Sequence, residues 1–233
     1  MLFRSAGTEL RHADLLDLLL ARIGDLRGDH PVRVGLDGRC GSGKSTLARD
    51  LVARLRADGV PATHLDSDGF HHVREHRRRR VDDPARGYYE DAYDLEALAE
   101  RVLVPLGPGG DGVHATRVHD LDTDEVITDE AATAGPGAVV VFDCTFLQRG
   151  ALRELWDLVV WLEVDREIAL ARGVARDAAS LGGEDAARAA YESRYMAACD
   201  LYLAEERPAE RADVVVGYDD PSAPVLLRDA SSR

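Results

Sequence analysis

The chain has 233 residues, of which 45% are hydrophobic and 31% are charged, as is typical of a globular protein with a buried core. This length suits one large α/β domain better than two small ones. The formal net charge of −14 argues against a general nucleic-acid binder, because such proteins present a basic face, although it leaves room for a local basic patch.

No segment of the sequence indicates a membrane anchor or an export signal. Residues Met1–Asp14 carry charges and lack the apolar core of a signal peptide. The longest apolar runs, such as Ala138–Phe142 and Leu158–Leu162, are too short to span a bilayer. Three widely spaced cysteines predict neither a zinc site nor a disulfide framework and fit a reducing compartment. We therefore expect a cytoplasmic protein without a membrane partner.

Lysine is almost absent from the sequence. Of the 29 lysines and arginines, Lys44 is the only lysine, and the chain contains no asparagine. Such a bias is typical of a genome whose coding composition favours arginine over lysine. Arginine has then replaced lysine wherever it can take the same role. Arginine cannot imitate a compact ammonium group in a narrow phosphate-binding loop. The one remaining lysine therefore marks a position where that shape is needed.

The first third of the chain predicts a strand–loop–helix–strand unit that follows an N-terminal helix. Leucines at helical spacing over residues 13–27 predict this amphipathic helix, within the N-terminal region 1–30. Val32–Asp37 is predicted as the first strand, and Ser45–Asp58 as a helix that Gly59 ends. Pro61–Asp66 is predicted as the second strand.

Strands alternate with helices over the rest of the chain, which predicts a mostly parallel sheet with helices on both faces. Asp82–Tyr89 contains Pro84 and Gly87 and is predicted as a loop, and Val113–Ile127 is predicted as a short hairpin. Further strands are predicted at 138–142, 158–164 and 212–216, and further helices at 94–103, 151–156, 166–179 and 186–206. We expect a single domain over residues 1–233.

One motif carries specific chemistry. Gly38–Ser45 matches the pattern GxxxxGK[ST], directly after a strand and at the start of a helix, as a phosphate-binding P-loop requires. Its glycines let backbone N–H groups approach phosphate oxygens, and the following helix adds its positive end. We expect Lys44 to contact the β- and γ-phosphates and the Ser45 hydroxyl to hold Mg²⁺. The residues predicted to bind the nucleotide here are Gly38, Arg39, Cys40, Gly41, Ser42, Gly43, Lys44, Ser45 and Thr46.

Acidic residues at strand ends indicate the kind of P-loop protein. A Ras-type GTPase reads its base with an NKxD motif, which a chain without asparagine cannot have. A small-molecule kinase needs a carboxylate near the attacking hydroxyl, and the strand ends of a parallel sheet face the ligand crevice. Asp66 and Asp68 follow the second strand, and Asp143 follows the strand 138–142, where it would help to hold Mg²⁺. The alternative for each is a carboxylate that caps a turn.

Six segments, taken in series, resemble the uridine kinase family, whose wider group includes phosphoribulokinase and pantothenate kinase. They are GRCGSGKST, DSDGFHH, YYEDAYDLEAL, VVVFDCTFL, LARGVARD and RADVVV, in the family's order over residues 32–216. The resemblance implies a P-loop NTPase fold with an acceptor-side segment at 70–95 and a small helical lid at 170–195. It also implies ATP or GTP with Mg²⁺ as cofactors, and transfer of the γ-phosphate to a hydroxyl group.

The resemblance further implies roles for individual residues. Asp68 takes the position of the base that faces the acceptor hydroxyl, with Lys44 as its catalytic partner on the phosphates. The residues implied near the acceptor are Phe70, His71 and Asp91, and those implied to grip the triphosphate from the lid are Arg172 and Arg176. Asp66, at the strand end, and Tyr89, in the acceptor-side segment, are also expected to bind the substrate. Tyr88–Glu90 replaces the family's Asp-His-Pro stretch, and residues 177–183 lack the further arginines of the family's lid. The phosphoryl-transfer residues are therefore retained, whereas the uridine-reading ones are altered.

Several alternatives stay open. Arg77–Arg80 is either a basic flap over a phosphate group or a solvated face paired with acidic residues. His114 and His119 fall where the family places a base-contacting histidine, or are ordinary surface histidines. The small acceptor is a nucleoside or, alternatively, a nucleoside-type antibiotic, pantothenate or a sugar phosphate. A nucleotide-binding regulator without catalysis is the alternative from another class, and a homo-oligomer is among the open oligomeric states.

Overall fold

A computed structural model describes residues 7–230, and residues 1–6 and 231–233 of the predicted domain lie outside the described part. The strands are β1 (Thr8–Glu9), β2 (Val32–Gly38), β3 (Ala62–Asp66), β4 (Val113–Ala115), β5 (Ala131–Thr133), β6 (Val139–Asp143), β7 (Leu158–Glu163), β8 (Val214–Gly217) and β9 (Val225–Asp229). The α-helices are α1 (His12–Leu26), α2 (Lys44–Ala57), α3 (Arg74–Arg77), α4 (Pro84–Asp91), α5 (Leu95–Leu98), α6 (Val104–Leu106), α7 (Arg166–Leu181), α8 (Glu184–Ala190), α9 (Ala197–Glu206) and α10 (Pro208–Arg211). Short 3₁₀ turns at Ser67–Phe70 and Gly150–Leu155 and π-helical turns at Ala99–Leu103 and Tyr191–Met196 complete them.

The central sheet has the strand order β1-β9-β8-β7-β2-β6-β3. The five strands from β8 to β3 are parallel, whereas β9 and β1 extend the β8 edge in antiparallel fashion. β2 pairs with β6 on one side and with β7 on the other, so strands that follow it in the sequence flank it on both sides. Its carboxyl end is therefore a switch point, where open parallel sheets bind their ligands. The predicted α/β fold with a mostly parallel sheet is confirmed.

Two hydrophobic cores lie on opposite faces of the sheet, and β6 contributes to both. Val139 and Val141 join a cluster with α1, α2 and α7, whereas Val140 and Phe142 join a cluster with α4 and α9. Successive side chains of a strand point to opposite faces, so a strand covered on both sides is apolar throughout. This explains why the continuous apolar run at 138–142 predicted a buried strand correctly.

The loop predicted over Asp82–Tyr89 is wrong, because this segment contains helix α4. Proline breaks helix interiors but fits the first turn, where its missing N–H has no intrahelical acceptor. Pro84 occupies that first turn, and the Asp83 side chain caps it by accepting a hydrogen bond from the Arg86 N–H at 2.9 Å. Aspartate and proline therefore mark a helix start here, and this helix carries side chains to the functional cleft.

Other differences from the predicted elements are smaller. β4 pairs with β5, which lies beyond the predicted hairpin range, while His119 and Val126 form an isolated bridge within it. The short strands β1 and β9 were not predicted, because two residues and a half-buried edge leave no clear periodicity. The helix predicted from Asp94 begins at Leu95, and Asp94 caps it by accepting the Ala97 N–H at 2.9 Å. Within residues 7–230, no helix combines the length and apolar content that a membrane span needs.

Candidate active site

The loop between β2 and α2 wraps around the ammonium group of Lys44. The Lys44 Nζ donates hydrogen bonds to the Gly38 carbonyl at 3.0 Å and the Arg39 carbonyl at 2.8 Å. Gly41 adopts a φ of 79°, in the region that glycine alone enters freely, and a Cβ there would lie 2.3 Å from the Ala169 carbonyl oxygen. The loop thus needs glycine both for its turn and for its close approach to α7.

A cleft of about 720 Å³ opens above this loop, at the switch point of the sheet. Its volume falls within the range of small-molecule sites, about 300–1,000 Å³. The residues predicted for the site that line it are Cys40, Gly41, Gly43, Lys44, Ser45, Thr46, Asp66, Asp68, His71, Asp143, Arg172 and Arg176. Gly38, Arg39 and Ser42 belong to the loop but do not line the cleft, and Ser42 is completely buried.

Two aromatic residues expected near the acceptor do not reach the cleft. Phe70 is 1% exposed and packs edge-on against Phe142, with ring centroids 5.2 Å apart, because the turn at Ser67–Phe70 directs it into the core. Tyr89 lies under the Arg149 guanidinium, 4.8 Å from its ring centroid, on another side of α4. Neighbours on a helix point about 100° apart, so Tyr88, and not Tyr89, faces the cleft.

Asp91 is also outside the cleft and instead anchors part of the arginine run. Its carboxylate is completely buried and pairs with Arg79 and with the Arg80 Nε, the latter at 2.8 Å. Burial alone would raise the pKa of Asp91, but the two guanidinium groups hold it below its ordinary value. Arg78 is exposed, whereas Arg77 lines the cleft. The run Arg77–Arg80 therefore divides between an ion-pair anchor and one cleft residue.

The Ser45 hydroxyl and the Asp143 carboxylate meet at the end of the P-loop. Ser45 donates a hydrogen bond from Oγ to Asp143 Oδ2 at 2.6 Å, and the His64 Nε2 lies 2.5 Å from Asp143 Oδ1. Residues 7–230 contain no group of three or more histidine, cysteine or acidic side chains that could hold a metal ion. Mg²⁺ in phosphoryl-transfer sites takes one or two protein oxygens and completes its shell with water and phosphate. The Ser45 and Asp143 oxygens fit that demand.

Asp68 also lines the cleft, on the turn after β3. Its side chain is 72% exposed, and Oδ1 lies 3.7 Å from the His71 Nε2. The neighbouring imidazole lowers the pKa of Asp68, so this carboxyl is ionised at neutral pH. His71 is held in turn by a hydrogen bond between Nδ1 and the Ala92 carbonyl at 2.9 Å, and its ring lies 4.3 Å from that of Tyr93. Asp68 is therefore a carboxylate available to a hydroxyl group in the cleft.

Helix α7 brings two arginines to the cleft from the region predicted as the lid. The Arg172 guanidinium donates to the backbone carbonyls of Tyr218 at 3.2 Å and Asp219 at 2.5 Å, which ties α7 to the loop after β8. Arg176 pairs with Asp177, Nε to Oδ1, at 2.8 Å. A hydrogen bond within the region predicted as the lid joins the π-helical turn to α7: the Tyr191 hydroxyl donates to Asp177 Oδ2 at 2.6 Å.

Sequence reasoning missed part of the acceptor side of the cleft. The missed lining residues that matter below are Tyr88, Tyr93, Arg194 and Tyr195, whereas Arg77 belongs to the arginine run for which a basic flap was one of the two interpretations. A helix start recognised at Asp83–Pro84 would have placed Tyr88 on one face of α4. No local signal identifies Arg194, because it sits in a π-helical turn that breaks the 3.6-residue period. Both His114 and His119 are 2% exposed and lie outside the cleft, so the expectation of surface histidines is wrong.

A buried carboxyl group ties the P-loop to helix α9. Asp37 is completely buried directly before the P-loop and accepts hydrogen bonds from the Tyr202 hydroxyl at 2.5 Å and the Gln148 amide at 3.1 Å. It also accepts the Gly38 N–H at 2.8 Å. Burial raises the pKa of Asp37 to about 6, against the opposing effect of these donors. The start of the phosphate loop is thus fixed by a group that titrates in a mildly acidic range.

Known proteins resemble this chain in sequence and in fold. The model of the "Phosphoribulokinase / Uridine kinase family" matches residues 33–218. Uridine kinases from Deinococcus deserti and Leuconostoc citreum are each 27% identical to the chain, over 200 residues (84% of this chain and 92% of that protein) and 159 residues (64% and 70%). The solved structure of a "possible uridine kinase" from Bacillus stearothermophilus shares the fold, with a TM-score of 0.67 at 24% identity over 87% of this chain and 97% of that one. The chain therefore belongs to the phosphoribulokinase/uridine kinase family of P-loop kinases.

Proposed function

We propose that this kinase transfers the γ-phosphate of ATP or GTP to a hydroxyl group of a small molecule, with a nucleoside as the first acceptor to test. One observation carries the proposal. A single cleft is lined by the phosphate loop with Lys44, by the oxygen pair of Ser45 and Asp143, and by the ionised Asp68. Phosphoryl transfer needs positioning, charge neutralisation and a carboxylate at the attacking hydroxyl.

Each of these residues has a distinct part in the reaction. When bound, the triphosphate would supply the phosphoryl group and leave as ADP or GDP, and Mg²⁺ would neutralise negative charge on its phosphates. Ser45 and Asp143 offer the oxygens that hold the metal, and Lys44 neutralises charge on the β- and γ-phosphates. Arg172 and Arg176 approach the same phosphates from the lid. As the acceptor oxygen bonds to phosphorus and the bond to the leaving oxygen breaks, Asp68 takes the hydroxyl proton.

The relatives named uridine kinase support a nucleoside acceptor, whereas the altered segment Tyr88–Glu90 motivates tests of other acceptors. Tyr88 lies where the family's ribose-holding stretch is expected, and its phenol donates to or accepts from Tyr93 across 3.0 Å. Burial raises the pKa of Tyr88 well above its ordinary value, so the hydroxyl stays neutral. A nucleoside-type antibiotic, pantothenate and a sugar phosphate therefore belong in the same acceptor panel.

Asp68→Asn tests the assignment of the base. The amide keeps the size of the side chain but cannot take a proton, so kcat should fall about 10²- to 10⁴-fold. The Kd of the triphosphate should stay within about threefold, because no phosphate contact is removed. Asp82→Asn is the matched control, an exposed aspartate outside the cleft that should leave both constants unchanged. Wild-type turnover in Asp68→Asn would show that the proton goes elsewhere.

A regulator that binds nucleotide without catalysis makes a different prediction. It binds the triphosphate but releases no ADP or GDP in response to any acceptor. The exposed, ionised Asp68 favours the kinase, because a binding module has no use for a carboxylate beside the γ-phosphate. Labelled ATP and GTP offered with the acceptor panel separate the two, and acceptor-independent hydrolysis alone would support the regulator.

A further inference from the structure

Two arginines that the proposed transfer does not use face the acceptor end of the cleft. Arg77 comes from α3, just after the turn that carries Asp68, and Arg194 comes from the π-helical turn after α8. Lys44, Arg172 and Arg176 already serve the phosphate donor. The positive charges of Arg77 and Arg194 in the same cleft therefore need an explanation of their own.

Arg194 has no acidic partner. Within residues 7–230 it forms neither an ion pair nor a side-chain hydrogen bond. Its guanidinium instead lies over two tyrosine rings, 5.2 Å from the centroid of Tyr88 and 5.3 Å from that of Tyr195. Stacking of this kind fixes the plane of the group and leaves its N–H donors free for a ligand.

Arg77 is only weakly paired. Its one carboxylate contact is 3.4 Å long, to Asp124 Oδ1, and that same oxygen accepts the Arg74 N–H at 2.8 Å and lies 3.1 Å from the His119 Nε2. The Arg77 Nε is buried without a partner in the described residues. Burial lowers the pKa of Arg77, and the positive charges of Arg194 and Arg74 add to this effect against the pull of Asp124. Such a pair of like charges is relieved by an anion between them.

The position of the pair points to the acceptor side. Arg194 stacks on Tyr88, whose hydroxyl is 3.0 Å from that of Tyr93. Tyr93 lies against His71, with ring centroids 4.3 Å apart, and His71 is the neighbour of Asp68. Successive contacts thus connect Asp68 to Arg194 along the lining of one cleft.

We propose that the acceptor carries an anionic group, a phosphate or a carboxylate, which Arg77 and Arg194 bind while its hydroxyl faces Asp68. The inference rests on the proposed function and narrows it. Guanidinium groups bind both anions through paired N–H donors, so the two share one recognition chemistry. A neutral nucleoside would leave these donors unused.

Binding of inorganic phosphate tests the site without any turnover. The protein is first loaded with Mg²⁺ and a non-hydrolysable ATP analogue, so that the P-loop is occupied, and is then titrated with phosphate and, separately, with acetate in a calorimeter. Arg77→Gln and Arg194→Gln should each weaken anion binding at least about tenfold, the loss expected for a charge-assisted hydrogen bond. Arg78→Gln is the matched control, because Arg78 is exposed and does not line the cleft.

Equal anion affinity in wild type and both cleft variants would overturn the inference, as would no anion binding by the loaded wild type. Thermal unfolding checks that each variant is folded, and Arg194→Lys, which keeps the charge, should recover part of the lost affinity. Tighter binding of phosphate than of acetate would indicate a phosphate group on the acceptor, and the reverse order would indicate a carboxylate.

An acceptor comparison separates this inference from the proposed function. Labelled ATP is offered with ribose and ribose 5-phosphate, with glycerol, glycerol 3-phosphate and glycerate, and with uridine. We expect the wild type to transfer phosphate to one of the anionic acceptors. In Arg77→Gln and Arg194→Gln the KM of that acceptor should rise, whereas the KM of ATP should not. Transfer to uridine or another neutral acceptor at an equal or higher rate would overturn the anionic acceptor and leave the kinase standing. No transfer to any acceptor would count against the kinase, while the calorimetric result still decides the anion site.

Discussion

Asp37 should make the stability of this protein depend on pH in the direction opposite to most carboxyl groups. Its pKa is raised by burial from 3.8 to about 6 in the folded chain, so the folded state binds the proton more tightly than the unfolded state. Its contribution to stability is therefore complete below pH 3.8 and is lost as the pH rises through about 6. A shift of about two units corresponds to a loss of about 3 kcal/mol in unfolding free energy.

Urea unfolding of the wild type and of Asp37→Asn between pH 4 and pH 7.5 measures this effect. Other carboxyl groups with lowered pKa, such as Asp91 and Asp177, change stability in the opposite sense, but they do so in both proteins and cancel in the difference. The wild type should lose about 2.4 kcal/mol of unfolding free energy relative to Asp37→Asn as the pH rises from 4 to 7, because part of the full effect is already lost at pH 4. An exposed control, Asp82→Asn, should differ from the wild type by a constant amount. A constant difference for Asp37→Asn as well would refute the buried ionisation.

Two further substitutions test the phosphate loop and the lid. Lys44→Arg keeps the charge but should raise the Kd of the triphosphate at least about tenfold, as measured by calorimetry, because a guanidinium group is too large for the space between the loop carbonyls. An unchanged Kd would refute the inference drawn from the lone lysine. Gly173→Ala places a Cβ 2.1 Å from the Tyr191 ring and should lower the unfolding free energy by about 1–3 kcal/mol. Gly24→Ala, which meets nothing within 4 Å in the last turn of α1, should leave it unchanged or raise it, and equal effects at both positions would count against tight packing at Tyr191.

The sequence predicted the donor side of the cleft better than the acceptor side, for a physical reason. The P-loop is one continuous segment, and its loop, helix start and lysine follow local rules. Asp143 was predicted because a carboxylate at the carboxyl end of a buried parallel strand lies at the ligand-binding edge of the sheet, whatever segment follows it. Both inferences needed only short stretches of sequence.

The acceptor wall depends instead on contacts between distant segments. Tyr88 reaches the cleft because Asp83 and Pro84 start a helix, and the loop predicted over this segment gave no helical phase by which Tyr88 could be told from Tyr89. Asp91 was expected at the acceptor but pairs with Arg79 and Arg80, which follow α3, and no local pattern reveals these ion pairs. Arg194 arrives from more than a hundred residues away, in a turn whose period is irregular.

The burial of Lys44 gives this chain an unusual experimental handle. A protease specific for lysine can cut the printed sequence only after residue 44, and an amine-directed reagent finds no other side chain to acylate. Residue 44 is 8% exposed, with its Nζ held by two loop carbonyls, so both reagents act only when the loop opens. The rate of a single cleavage therefore reports local opening of the nucleotide site, and its slowing by a nucleotide measures occupancy without a label.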